Sequence, residues 1–260
     1  MHDQNPKISV LTVALNAADT ILSCIDSVNL QDYANIEHIL FDGRSDDNTL
    51  NIMQNKSTRL NTVHSCNDSG LYDALNRGIS LCSGDFIVVL HADDKFHSNS
   101  VVSEAVKFIV GNNFPDVVSG SVLHVTYLNV LDNAYLYSSK YFKINKLRFG
   151  FLPAHNATFV KRHIYTKYAY NSEFISAGDY EWFLRVFNDK QIKYLAIPLI
   201  VSQQRLGGLS TMGLKSIIRT TKEMNYAIQL NSIGSNFLLL LSRLPIKYIQ
   251  RKLKWRGNSW

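Results

Sequence analysis

FIVVLHADD, residues 86–94, is an apolar run of five that ends at a histidine and two adjacent carboxylates. The run is short, rich in β-branched residues and flanked by Gly84 and the polar HADD, which predicts a buried strand rather than a helix. The same alternation recurs outward from it. ISVLTVAL (residues 8–15) predicts a first strand, and Thr20 can cap a helix whose apolar face is Ile21, Leu22, Ile25 and Val28. Residues 38–41 predict a second strand ending at Asp42-Gly43. Ser45 and Asp46 offer caps for a helix through Leu50, Ile52 and Met53. Residues 62–65 predict a third strand, 70–81 a helix, and 101–110 an amphipathic helix after the FIVVL strand. Alternation of this kind implies an α/β fold, a mostly parallel central sheet with helices on both faces. Ligands bind such sheets at the carboxyl ends of the strands. Asn16, Asp42, Asn67-Asp68 and His91-Ala92-Asp93-Asp94 all follow predicted strands, so they are expected along one edge.

Beyond residue 116 the pattern changes to strands at VVSGSVLHV and AYLYS, with a turn near Asp132-Asn133, then helices over 179–188 and 214–230. Of the 260 residues 46% are hydrophobic and 18% charged, which suits a folded globular chain. Three cysteines without a CxxC pair fit reduced thiols of the cytoplasm. The N-terminus lacks a basic segment followed by an apolar core, and no apolar run reaches 18 residues. Neither a secretory signal nor a membrane span is therefore expected. The net charge of +6 hides an asymmetry, because residues 1–116 carry 15 acids and 7 bases while the remainder carries 6 and 20. An acidic N-terminal half argues against nucleic acid and suits a half that holds a cation. The basic half suits phosphates of a ligand or of an anionic membrane surface. Arg243, Lys247, Arg251, Lys252, Lys254 and Arg256 follow FLLLL, a pattern of either an interfacial helix or a core helix with a solvated tail.

Several of these residues can carry chemistry. Asp93-Asp94 is either a solvated turn or a site for a hard divalent cation, which takes one or two carboxylates and substrate phosphate oxygens. Asp42 is either a helix cap or a hydrogen-bond acceptor for a base or ribose. Asp73 and Arg77 are four apart and can pair on a surface, or, with Asn76, meet a ligand. Asp179 is either an N-cap or a general base. Arg205 opens a Gly-Gly-Leu-Ser loop able to close over a diphosphate. His155-Asn156 is a candidate for acceptor contact. No GxGxxG follows the first strand, and GxxxxGK[ST], GxSxG and HExxH are absent, which excludes several dinucleotide, P-loop, hydrolase and zinc-protease readings.

The segments ISVLTVALNAADTILSCIDSVNLQ, EHILFDGRSDDNT, NDSGLYDALNRGI, SGDFIVVLHADD, LPAHNATFVKR, AGDYEWFLR and QRLGGLS occur in this order. Together they resemble family 2 glycosyltransferases with the GT-A fold, of the bacterial surface-polysaccharide type (O-antigen, capsule, exopolysaccharide, lipopolysaccharide). The resemblance implies a donor site of Asn16, Asp42, Asp68, Asp73, Asn76, Arg77, His91, Asp93, Arg205 and Ser210. It also implies Mn²⁺ or Mg²⁺ on Asp93 and Asp94, Asp179 as base, and acceptor contacts from His155, Asn156 and Glu181. Two positions depart from the family pattern: His91 stands where Asp or Asn is usual, and Arg44 where a small residue is customary.

On this resemblance residues 1–116 form the nucleotide-sugar half of one GT-A domain and 117–212 the acceptor and catalytic-base half. Residues 213–260 form a helical, basic extension. The expected activity is inverting transfer of a sugar from a nucleotide-diphosphate donor, UDP by default, to a hydroxyl of a polyprenyl-linked glycan, at the inner face of the cytoplasmic membrane. The alternatives are a glycoside hydrolase and an inactive nucleotide-sugar-binding protein.

Overall fold

The first strand, β1 (Ile8–Ala14), has all seven residues buried, the mark of a parallel strand covered on both faces. The computed structural model of the chain describes residues 4–126, 134–206, 213–253 and 255. After β1 come α1 (Ile21–Asn29), β2 (Ile36–Asp42), α2 (Thr49–Lys56), β3 (Leu60–Ser65), α3 (Leu71–Leu81) and β4 (Phe86–Val89). These four strands lie in the order β3-β2-β1-β4 and pair in parallel throughout. The chain runs outward from β1 to β3 and then returns to the other flank of β1. The resulting reversal of strand order opens a crevice at the carboxyl ends of β1 and β4.

Next come β5 (Asp94–Phe96), α4 (Val101–Gly111), β6 (Val117–Val125) and β7 (Tyr135–Tyr137). They are followed by β8 (Thr158–Lys161), α5 (Arg162–Lys167), α6 (Gly178–Asn188) and β9 (Tyr194–Arg205). The sheet continues from β4 through β8, β6 and β9 to β5, with β7 beside β6. In this half only β6 and β9 are parallel; the β4–β8, β6–β8, β6–β7 and β5–β9 pairs are antiparallel. The chain ends in α7 (Gly213–Leu230), α8 (Phe237–Leu241) and α9 (Arg243–Lys252).

Two apolar layers flank the sheet, and side-chain alternation along β1 feeds both. Ile8 and Val10 belong to the layer that includes residues of α1, α2 and α4, whereas Leu11 and Val13 belong to the layer of α3, α5, α6 and α7. The α/β sheet with helices on both faces is therefore present as expected from the sequence.

The local details differ. Thr20 does not cap α1, because its hydroxyl turns back to donate to the Ala17 carbonyl. Ser45 and Asp46 lie in a turn before α2, whose N-cap position is Asn48. Asp94 is itself the first residue of a short strand, and Ser100 precedes α4 without a side-chain cap.

The opposite end of the sheet is tied by a buried carboxylate. Glu37 accepts from Ser9 Oγ at 2.5 Å, from Ser83 N at 2.6 Å and Oγ at 2.7 Å, and pairs with Lys7 at 2.6 Å. Burial alone would push its carboxyl up, but Lys7, Ser9 and Ser83 together hold it down to about 2. A folded pKa below the unfolded value of about 4.3 stabilises the fold fully above that value, and the contribution is lost as pH falls toward 2. Glu37→Gln is expected to cost about 2 kcal/mol at pH 7 and to flatten the acid limb of the unfolding profile. An unchanged urea midpoint would show that these bonds contribute nothing.

Candidate active site

Residues beyond β1 and β2 form one knitted edge. Asn16 takes a left-handed backbone (φ 50°), and its Oδ1 accepts from Asp46 N at 2.9 Å. Asp42 is wholly buried and accepts from Ser45 N at 3.2 Å, Ser45 Oγ at 2.5 Å and Ser65 Oγ at 2.6 Å. Its oxygens thus fasten the ends of β2 and β3 to the turn before α2. Asp68 Oδ1 accepts from Gly70 N at 2.9 Å. Its Oδ2 lies 2.5 Å from where a Cβ on Gly43 would stand, so only glycine at 43 lets this carboxylate reach the end of β2.

Asp73 accepts from Ser69 N and pairs with Arg77 at 3.1 Å, while Arg77 also donates to the Asn67 carbonyl at 3.0 Å. This exposed pair orders the loop before α3 and, screened by solvent, adds little to stability. Asn76 clamps the Tyr170 backbone instead, donating to its carbonyl and accepting from its N–H, both at 2.8 Å.

The two carboxylates after β4 are unequal. Asp94 is fully buried, with Oδ2 accepting from Asn156 Nδ2 at 2.6 Å and Oδ1 left without a hydrogen-bond partner. Burial and the neighbouring Asp93 push its carboxyl well above the usual carboxylate range. Among the described residues no three His, Cys, Asp or Glu side chains preassemble a metal cage. A hydrated divalent ion that shares its shell with phosphate oxygens needs only one or two carboxylates. The orphaned Asp94 oxygen and the half-exposed Asp93 beside it fit that requirement, since a cation relieves both the unpaired atom and the repulsion.

Asp179 stands in the first turn of α6, in the wall of a cavity of about 310 Å³. Burial pushes its carboxyl up to about 6, against the opposing pull of the Tyr180 N–H (2.7 Å) and Lys247. It is held there by tight packing: a Cβ on Gly178 would meet the Tyr72 ring at 2.6 Å. Glu223 of α7 accepts from the backbone of Ser176 (2.8 Å) and Ala177 (2.9 Å) just before it. A half-buried carboxyl with a pKa near neutrality can accept a proton from a substrate hydroxyl.

His91, His155 and Asn156 line the same cavity. His155 Nε2 is bonded to the Tyr170 hydroxyl, and burial, then His91, holds its ring down to about 3, so it is neutral near pH 7. Asn156 belongs to the cavity wall and to the Asp94 pair at once, which couples the two clusters. Glu181 does not join them. Residues two apart on a helix point to different sides, and its carboxylate is buried against Arg185 (2.7 and 2.8 Å) and Asn231 (3.2 Å). Arg205 ends β9 in an exposed position, next to Gln204, the β-pair partner of Asp94. Ser210, the glycine loop before it, and Lys254 and Arg256 lie outside the described residues.

Residues to which the sequence assigned no role at this site complete the wall. Tyr72, Tyr137, His124, Arg243, Lys247 and Arg251 all line the cavity. Arg243 is buried and donates to Thr221 Oγ1 at 2.9 Å and to the Leu240 carbonyl at 2.9 Å. Lys247 is pulled down to about 8 by burial, then by Arg243, with Asp179 opposing. Three of the four described basic tail residues thus line this cavity. Their spacing of four was the available signal, since it places them on one helix face.

The sequence model of glycosyl transferase family 2 matches residues 9–188. A PGL/p-HBAD biosynthesis glycosyltransferase of Mycobacterium tuberculosis is 29% identical over 264 residues, 98% of this chain and 97% of the relative. Glycosyltransferase GlyG of Streptococcus pneumoniae is 32% identical over 117 residues, 44% of this chain and 38% of the relative. Among solved structures, S. aureus TarS 1-349 with UDP-GlcNAc aligns with a TM-score of 0.67 at 17% identity, covering 92% of this chain and 71% of TarS 1-349. The mannosyltransferase PcManGT from Pyrobaculum calidifontis, in complex with GDP-Man and Mn²⁺, aligns with a TM-score of 0.64 at 16% identity, covering 95% and 73%. At these identities the structural likeness is one of fold, the GT-A type. The hydrolase alternative gains no support from any of these proteins.

Proposed function

This chain belongs to glycosyl transferase family 2, and we propose that it transfers a hexosyl or N-acetylhexosaminyl group, with inversion, from a UDP-sugar to a hydroxyl of a lipid-linked surface glycan. One observation carries the reading. Among the described residues that line the cavity, Asp179 is the single acid, and its carboxyl titrates near 6. A single displacement needs one base, whereas retention through a covalent intermediate needs a nucleophile as well. The choice of UDP is supported by the TarS complexes with UDP and UDP-GlcNAc, although GDP-Man in PcManGT makes the base a question for experiment. The glycolipid acceptor is supported by the relative named for PGL/p-HBAD biosynthesis. No helix among the described residues is long and apolar enough to cross a membrane.

In the mechanism Asp179 takes the proton of the acceptor hydroxyl as that oxygen bonds to the anomeric carbon. The bond from this carbon to the diphosphate breaks on the opposite face, and the nucleoside diphosphate leaves with the electron pair. Asp93 and Asp94 would hold Mn²⁺ or Mg²⁺, which when bound supplies positive charge at the leaving diphosphate. Arg205, beside the Asp94 strand pair, adds a cation there. Neutral His91 and His155 orient hydroxyls without competing for the proton.

Calorimetric titration with UDP, GDP and dTDP, with and without Mn²⁺, tests the donor site. The expected result is Mn²⁺-dependent binding of UDP in preference to the others. The anomeric configuration of the product, read by NMR, tests the displacement, and retention would overturn the inverting assignment.

A further inference from the structure

A second cavity, about 600 Å³, lies beside the first, between β7, the 3₁₀ turn Ile144–Phe149 and α9. Its walls are chiefly apolar, with Phe142, Phe149, Phe151, Ile246, Leu253 and Trp255. Among the described residues Lys146 is the one charged residue of the wall, and its ammonium donates to the Tyr141 carbonyl at 2.7 Å. Tyr137, Leu152 and Gln250 line both cavities, and the Tyr137 hydroxyl donates to the Leu152 carbonyl at 2.7 Å. This bonded pair forms part of a shared wall.

Helix α9 and Leu253 at its C-terminal end serve the two cavities with adjacent stripes. Arg243, Lys247 and Arg251 face the one that holds Asp179, Ile246 and Leu253 face the apolar one, and Gln250 meets both. A polar cavity lying beside an apolar groove, with three wall residues in common, matches an amphiphile with its hydroxyl-bearing head at Asp179 and its chain along α9. The apolar rim extends outward, since Tyr141 and Leu253 are each 66% exposed.

We propose that this groove is the subsite for the aliphatic or prenyl chain of a lipid-linked acceptor, so that chain binding carries the acceptor head to Asp179. The proposal rests on the transferase reading of the first cavity. A surface that only touched a bilayer would need no groove sharing a wall with the site of chemistry.

The test uses the full chain with UDP and Mn²⁺ present, titrated with methyl, octyl and decyl β-D-glucopyranoside below their micelle-forming concentrations. Affinity is expected to rise roughly tenfold from octyl to decyl. It should fall at least tenfold for decyl in Ile246→Asp and in Leu253→Asp, both partly exposed residues. Ile249→Asp, exposed on the same helix and lining neither cavity, should leave chain binding unchanged. Binding that ignores chain length, or is equally strong in the two groove variants, overturns the proposal. So does a groove variant whose sole loss is sedimentation with anionic vesicles or self-association, since the occupant is then a membrane or a second copy. Failure of UDP, GDP and dTDP alike to bind wild-type protein with Mn²⁺ would instead count against the transferase reading beneath it.

Discussion

Asp179→Asn is expected to lower kcat by about 10³-fold while leaving UDP affinity within about twofold of wild type. The asparagine keeps the shape of the side chain in the first turn of α6 but cannot take a proton. The pH profile gives an independent check. Burial sets the Asp179 carboxyl at about 6, so wild-type turnover should climb with unit slope up to that pH and level off above it. The variant should lack this limb. The stability trend has the opposite sign. A folded pKa above the unfolded value of about 3.9 favours the protonated fold, and this advantage is lost as pH rises through 6. Asp179→Asn should therefore keep or raise Tm at pH 8. A variant that turned over at a tenth of the wild-type rate or faster would remove Asp179 from the role of base.

Asp94→Asn is expected to weaken Mn²⁺-dependent nucleotide binding about 100-fold, roughly 2.7 kcal/mol. Asparagine still offers an oxygen to Asn156 Nδ2 but carries no charge for a cation. The metal-free protein should be no less stable than wild type, because the carboxylate it loses is buried with one oxygen unpaired. Thermal melts then separate the two effects: wild type gains Tm from UDP with Mn²⁺, and the variant gains little or nothing. Equal gains in both proteins would place the cation elsewhere, with Asp93 the next residue to test.

Much of the N-terminal half was legible because its signals are local. FIVVL and ISVLTVAL are strands, and the polar residues that follow them do gather at one sheet edge, as parallel topology requires. Element ends were less legible where side chains chose between neighbouring backbone partners. Ser45 could cap a helix or bond Asp42, and burial of Asp42 favoured the latter. Asn76 and Glu181 read as ligand-facing from their motifs, yet the structure turns one to the Tyr170 backbone and the other to Arg185. The partner of Asn76 is 94 residues away, beyond any linear motif, whereas Arg185 is an i,i+4 neighbour of Glu181 that the helical spacing already offered.

By itself the sequence determined the alternation of elements, the clustering of carboxylates after β2, β3 and β4, and the family, all of which follow from short-range pattern and residue order. Tertiary structure alone decided which of those groups meet. It placed Asp179 beside Lys247, some 68 positions later, and buried Asp94 while leaving Asp93 accessible. It also turned a basic tail inward to wall a cavity. Charge environment and burial arise from long-range packing of separate elements, and periodicity within one element carries no record of its neighbours.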